Sequence, residues 1–170
     1  MTRFVALLRA VNVGGTGRLA MADLVGMCAA AGFDGIRTFI ASGNVVFDSE
    51  LGPEEVKRAL EVRLESNLGK PVGVLVRNSD EMAAILAGNP FVDRPSKYTH
   101  VVFLDASPGP DALRMATGRS GEDMALGTRE IFVFYPDGQG KSKLRIPAAA
   151  TGTARNMNTV AKLTEMVSAP

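Results

Sequence analysis

The stretch Phe4-Val5-Ala6-Leu7-Leu8 is apolar at odd and even positions alike. Side chains of a strand alternate between the two faces of its sheet, so a strand of this kind must be buried on both faces and lie centrally. A single sheet with one face open to water cannot satisfy it. The stretch continues as Arg9-Ala10-Val11-Asn12-Val13-Gly14-Gly15, an arginine and an asparagine leading into a glycine-rich loop. Downstream, Arg37 to Ala41 and Asn44 to Asp48 read as two strands about the two-residue turn Ser42-Gly43, the strongest hairpin signal in the chain.

Between these stretches the spacing predicts a helix from about Ala20 to Ala31. Its stripe is Leu24, Met27, Cys28 and Ala31, and Gly32 stops it. A second helix runs from Pro53 to Asn67, with Glu54 and Glu55 at its positive end. Val72 to Val76 forms a fourth strand. The order strand, helix, strand, strand, helix, strand is the split βαβ, or ferredoxin-like, arrangement. Its helices cover one face only, so the other face needs a partner, which the rest of the chain can supply.

The second half opens with a helix over Ser79 to Ala87, capped by Ser79 or Asp80. A strand at His100 to Leu104 follows, then a short helix over Asp111 to Thr117. A hairpin of Glu122 to Leu126 and Glu130 to Tyr135 comes next, then a turn-rich loop into Lys141 to Arg145. The last helix is expected to start near Thr153. The fold class is therefore α+β: two similar ferredoxin-like halves, about 1–78 and 79–170, with antiparallel sheets packed together in a single compact domain.

Composition narrows the function classes. Net charge is +1, so a basic surface for an anionic partner must be a local cluster. One cysteine, Cys28, and one histidine, His100, leave no metal site of thiolates or clustered imidazoles, and no cofactor is implied. The start Met1-Thr2-Arg3 runs into a strand without the pattern of a signal peptide, and no apolar run reaches the ~18–20 residues of a membrane span. A soluble, cytoplasmic protein is expected, its oligomeric state open.

Several further stretches belong with Ala6 to Gly15 and Ala41 to Phe47: Asn89-Pro90-Phe91, Gly140-Lys141-Ser142-Lys143-Leu144 and Thr153-Ala154-Arg155-Asn156. In that order they closely resemble a bacterial family known as domain of unknown function 1697, over essentially the whole chain. Met157, where the family pattern has tryptophan after the Arg-Asn pair, and a short stretch from Ile146 to Thr151 depart from it. The resemblance implies a compact α+β protein of two similar halves and no established activity.

In the split βαβ order, the loop after the first strand, the turn between the second and third, and the connection carrying Lys70 share one end of the sheet. Arg9, Asn12 and the amides of Gly14 and Gly15 are thus expected to face Ser42, Gly43 and Asn44. Glycine-loop amides beside an arginine suit a small anionic, phosphate-bearing ligand. The competing reading is that Asn12 and Asn44 only satisfy loop carbonyls. Lys141, Ser142 and Lys143 mimic the end of a phosphate loop, but Tyr135 stands where that motif needs glycine. They remain candidate ligand contacts, as do Arg155 and Asn156, expected in the first turn of the last helix. There a cation opposes the helix dipole and needs a partner.

No catalytic constellation is legible. Gly15 to Ala20 fails the dinucleotide fingerprint, and Ser42 lacks the context of a nucleophile elbow. A binding module for a small anion is the leading reading. An enzyme acting on an anionic substrate, or a partner-binding protein, is the alternative. Nucleic acid is weaker, because aromatics for stacking are 6% of the chain, without tryptophan.

Overall fold

The structure, a computed structural model, describes residues 1–13 and 18–169. The chain divides into two compact units, Met1–Met82 with Leu163–Pro170, and Ala83–Lys162.

In the first unit β1 (Thr2–Leu8), β2 (Asp34–Thr38), β3 (Asn44–Ser49) and β4 (Val74–Asn78) form an antiparallel sheet of order β2-β3-β1-β4. Helices α1 (Met21–Ala30) and α2 (Pro53–Leu68) make its crossovers. This is the ferredoxin-like order, with β1 central between β3 and β4. Phe4, Ala6 and Leu8 join Val45, Phe47, Val74 and Val76 in one core with Leu24, Met27 and Cys28 of α1 and Val56, Leu60 and Leu64 of α2. Phe47 stacks on Phe33 with ring centroids 4.3 Å apart. The opposite parity, Val5, Leu7, Val46 and Leu75, is buried as well, as the composition of β1 demands. Burial pushes the Cys28 thiol up to about 12, which makes it an inert core residue.

In the second unit β5 (Thr99–Phe103), β6 (Asp123–Leu126), β7 (Glu130–Phe134) and β8 (Thr153–Asn156) pair in the order β6-β7-β5-β8, the same permutation. Val101 and Phe103 are buried together with Val102 and Leu104, so β5 too is covered on both faces. The crossovers here hold only short 3-10 turns, among them Ala112–Met115 and Pro147–Ala149. Helix α3 (Ser79–Ala87) follows β4, and α4 (Met157–Ser168) follows β8. The likeness extends to single bonds. Leu8 N–H donates to the Gly43 carbonyl at 2.8 Å where β1 ends, and Leu104 N–H donates to the Arg129 carbonyl at 2.9 Å where β5 ends.

Three expectations need correction. Ser42-Gly43 is not a two-residue turn: β2 ends at Thr38, and residues 39–43 form the connection, because Ile40 turns to a φ of 53° and leaves the ladder. Helix α3 is capped by Asn78, not by Ser79 or Asp80. Asn78 Oδ1 accepts from Glu81 N–H at 2.8 Å while Glu81 Oε1 accepts from Asn78 N–H at 2.9 Å, a reciprocal capping box. The last helix does not begin near Thr153. Thr153–Asn156 is an edge strand paired to β5, and Asn156 Oδ1 caps α4 by accepting from Thr159 N–H at 2.9 Å. Thr-Ala-Arg-Asn has no strong strand propensity, and the unsatisfied edge of β5 imposes the extended form.

Candidate functional site

The end of the first sheet is built from three connections. The described residues 9–13 and 18–20 lie between β1 and α1, residues 39–43 join β2 to β3, and residues 69–73 lead into β4. The register brings them together, since Leu7 pairs with Asn44 and Leu8 with Val74. Specific bonds stitch them. Arg9 N–H donates to the Gly73 carbonyl at 2.9 Å. Asn12 Nδ2 donates to the carbonyls of Ala41 at 2.7 Å and Leu19 at 2.9 Å, and its Oδ1 accepts from Leu19 N–H at 2.8 Å. Asn12 thus acts as an extra peptide unit inside the loop. Asn44 is fully buried and donates to the Phe39 carbonyl at 3.0 Å and to Ser42 Oγ at 3.1 Å. Both asparagine side chains therefore spend these hydrogen-bonding groups on the loops themselves.

These loops carry the backbone's unusual conformations. Among the described residues, the non-glycine positions with positive φ are Ala10 at 58°, Asn12 at 55° and Ile40 at 53°, all at this sheet end. Such conformations cost ~1–3 kcal/mol each and persist only where the surroundings over-determine them. A shallow cleft of about 460 Å³, lined by Asn12, Arg18, Leu19 and Ala20, opens beside them. Arg9, Arg18 and Lys70 are exposed. The candidate residues Gly14 and Gly15 lie outside the described residues.

Lys141, Ser142 and Lys143 line a different cleft, of about 360 Å³, within the second unit, together with Ser120, Glu122 and Tyr135. A backbone bridge closes one side of it: Thr117 and Arg145 exchange two N–H to carbonyl bonds of 2.9 Å. Ser142 Oγ donates to Glu122 Oε2 and accepts from Leu144 N–H at 3.1 Å. The Ser142 hydroxyl, then the Ser120 amide, hold the Glu122 carboxyl below its ordinary value, while burial, then the Glu122 charge, raises the Tyr135 phenol. Asp123 is likewise lowered, first by its bond from Arg94, whose guanidinium also lies over the Phe134 ring at 4.7 Å.

A carboxyl whose folded-state pKa is depressed contributes stability above its unfolded value, and that stability is lost as pH falls through the lowered folded value. Stability is therefore expected to fall below the ordinary values of 4.5 for Glu122 and 3.8 for Asp123. In urea unfolding followed from neutral to acid pH, Glu122→Gln should reduce that slope. An unchanged acid limb would show that the Ser142 bond contributes nothing.

Arg155 and Asn156 sit on β8, not on a helix. Arg155 is buried, pairs in register with Val101, and its Nη1 donates to Thr153 Oγ1 at 2.6 Å and to the Ala154 carbonyl at 2.9 Å. Burial pushes its guanidinium down to about 10. The first unit holds its counterpart at the same place. Arg77 on β4 is buried, pairs with Val5, and donates from Nη1 to the Val76 carbonyl at 3.0 Å. Each arginine is followed by the asparagine that caps the next helix, Asn78 or Asn156. The dipeptides Arg77-Asn78 and Arg155-Asn156 were the available sequence signal for Arg77, and their matched positions make Arg155 part of the duplicated frame.

A family model described as protein of unknown function (DUF1697) matches residues 1–132. A solved structure, titled the structure of conserved bacterial protein SP0830 from Streptococcus pneumoniae, is similar to the chain with a TM-score of 0.78. Sequence identity is 22%, and the similarity covers 98% of this chain and 98% of that one. At that identity the likeness concerns the fold. No curated protein matches the chain. No helix among the described residues is long and apolar enough to cross a membrane.

Proposed function

Because the chain belongs to the DUF1697 family, described as a protein of unknown function, the reading must come from the site, and we propose that the protein binds a small anionic, phosphate-bearing ligand at the end of its first sheet. One observation carries this reading. The described residues of the three connections there, 9–13, 18–20, 39–43 and 69–73, hold Arg9, Arg18 and Lys70 and no Asp or Glu. The corresponding end of the second sheet follows the same topology but carries Asp105, Asp111 and Arg129. Connections without acids are thus not a demand of the fold; the carboxylate that adjoins them, Glu61 of α2, is held by Val74 N–H at 3.2 Å and by Lys57. Arginine and lysine side chains carried on adjoining connections favour a bound anion. Arg9 and Arg18 supply the charge. Asn12 and the Ser42-Gly43-Asn44 segment hold the loops in shape. The cleft of Lys141, Ser142 and Lys143 includes Glu122 and Asp137, so its charge is balanced and suits an anion less well.

Calorimetric titration with inorganic phosphate at low and physiological salt tests the proposal. Binding should weaken with salt, and Arg9→Ala and Arg18→Ala should each weaken it about tenfold or more, the usual loss for a charge-assisted hydrogen bond. The absence of binding at low salt, or affinity indifferent to both substitutions, would rule the proposal out.

A further inference from the structure

We infer that the ligand at this sheet end is an organic anion with an apolar body, an organic phosphate or carboxylate rather than a bare inorganic ion, and that Ile40 and Val13 receive that body. The inference rests on the proposed anion site and specifies its ligand. Ile40 holds a φ of 53°. For a β-branched residue that conformation is a true outlier, whereas glycine or asparagine adopts it readily. Folding gives no return for isoleucine there, since its side chain is 51% exposed. Val13 is 58% exposed. The segments that carry them meet, because Asn12, which precedes Val13, donates to the carbonyl of Ala41, which follows Ile40. Two exposed branched aliphatic residues thus flank one bonded pair in the connections that bear Arg9 and Arg18. A bare ion would use only the charges. A ligand with an anionic head and an apolar body uses the cations and covers the aliphatic surface, which is where the strained isoleucine gains a role.

The test compares inorganic phosphate with phenyl phosphate, both near −2 in charge at about pH 8, by titration into the full chain and into Ile40→Gly and Val13→Ser. Phenyl phosphate should bind about tenfold or more tightly than phosphate, the expected gain from covering two half-exposed aliphatic side chains. Ile40→Gly, which accepts the local backbone and should fold with an undiminished thermal midpoint, should bring that ratio close to one, and Val13→Ser should reduce it. Equal affinities in the unsubstituted protein, or a ratio untouched by both variants, would overturn the inference and leave the anion site standing. Failure of both phosphates to bind at low salt would overturn the anion site and the inference with it.

Discussion

Gly43→Ala is expected to destabilise the protein by about 3 kcal/mol, lower its thermal midpoint by on the order of 10 °C, and abolish anion binding at the first sheet end. A Cβ built on Gly43 lies 2.6 Å from Val11 Cγ2 and 2.8 Å from Leu8 Cβ. The Leu8 atom belongs to the central strand and cannot give way. Gly43 also has a φ of 89°, which alanine resists. To accommodate the methyl group, residues 39–43 must lift from β1, which breaks the bond from Leu8 N–H and displaces the Ala41 carbonyl from Asn12. Strain of ~1–2 kcal/mol, overpacking of ~1–3 and a lost hydrogen bond of ~1 set the scale. Thermal unfolding followed by circular dichroism gives the stability change, and phosphate titration below the lowered midpoint gives the functional one. A variant with unchanged midpoint and affinity would show that the turn is not tied to β1.

Gly118→Ala should have an effect of similar size in the second unit, about 3 kcal/mol. Here the added Cβ falls 2.1 Å from the Lys143 carbonyl oxygen and 2.9 Å from its carbonyl carbon, backbone atoms with no rotamer to change. The φ of 71° adds strain. Relief requires parting the two segments that wall the cleft, at the cost of the paired bonds between Thr117 and Arg145 and the Ser142 to Glu122 contact. Hydrogen exchange reads this directly. The Thr117 and Arg145 amides should lose protection in the variant, more than the amides of β5 and β7. Full retention of their protection would contradict the proposed clash.

Much of the architecture is legible because burial writes itself into side-chain chemistry. Phe4 to Leu8 cannot alternate, so β1 had to be central. Leu24, Met27 and Cys28 in α1, and Val56, Leu60 and Leu64 in α2, mark the helix faces by their spacing alone. Where such a pattern is absent, local sequence does not specify the element. Phe39 and Ile40 look like strand residues, yet the left-handed Ile40 ends the pairing just after Phe39 N–H donates to the Asn44 carbonyl. Thr153 to Asn156 is too short to show a period, and Arg155 resembles a surface cation of a helix start, although β8 buries it.

The candidate site divides the same way. Proximity of the Arg9 loop to the Ser42–Asn44 segment follows from strand order, which local propensity and turn residues specify. How Asn12 and Asn44 spend their amides does not follow, because hydrogen-bond partners 29 residues apart, such as Asn12 and Ala41, exist only once the sheet has formed.

The chain's order of apolar residues and turn formers determined by itself two strand-rich halves, the central strands and the principal helices of the first half. Only the tertiary structure decided that Arg77-Asn78 and Arg155-Asn156 are the same junction used twice, that Ile40 is held in strain, and that Lys141 to Lys143 line a cleft with Glu122. The physical reason is range: hydrophobic periodicity and capping act over a few residues, whereas register, the burial of an arginine and the pairing of a buried carboxylate are settled by segments far apart in sequence.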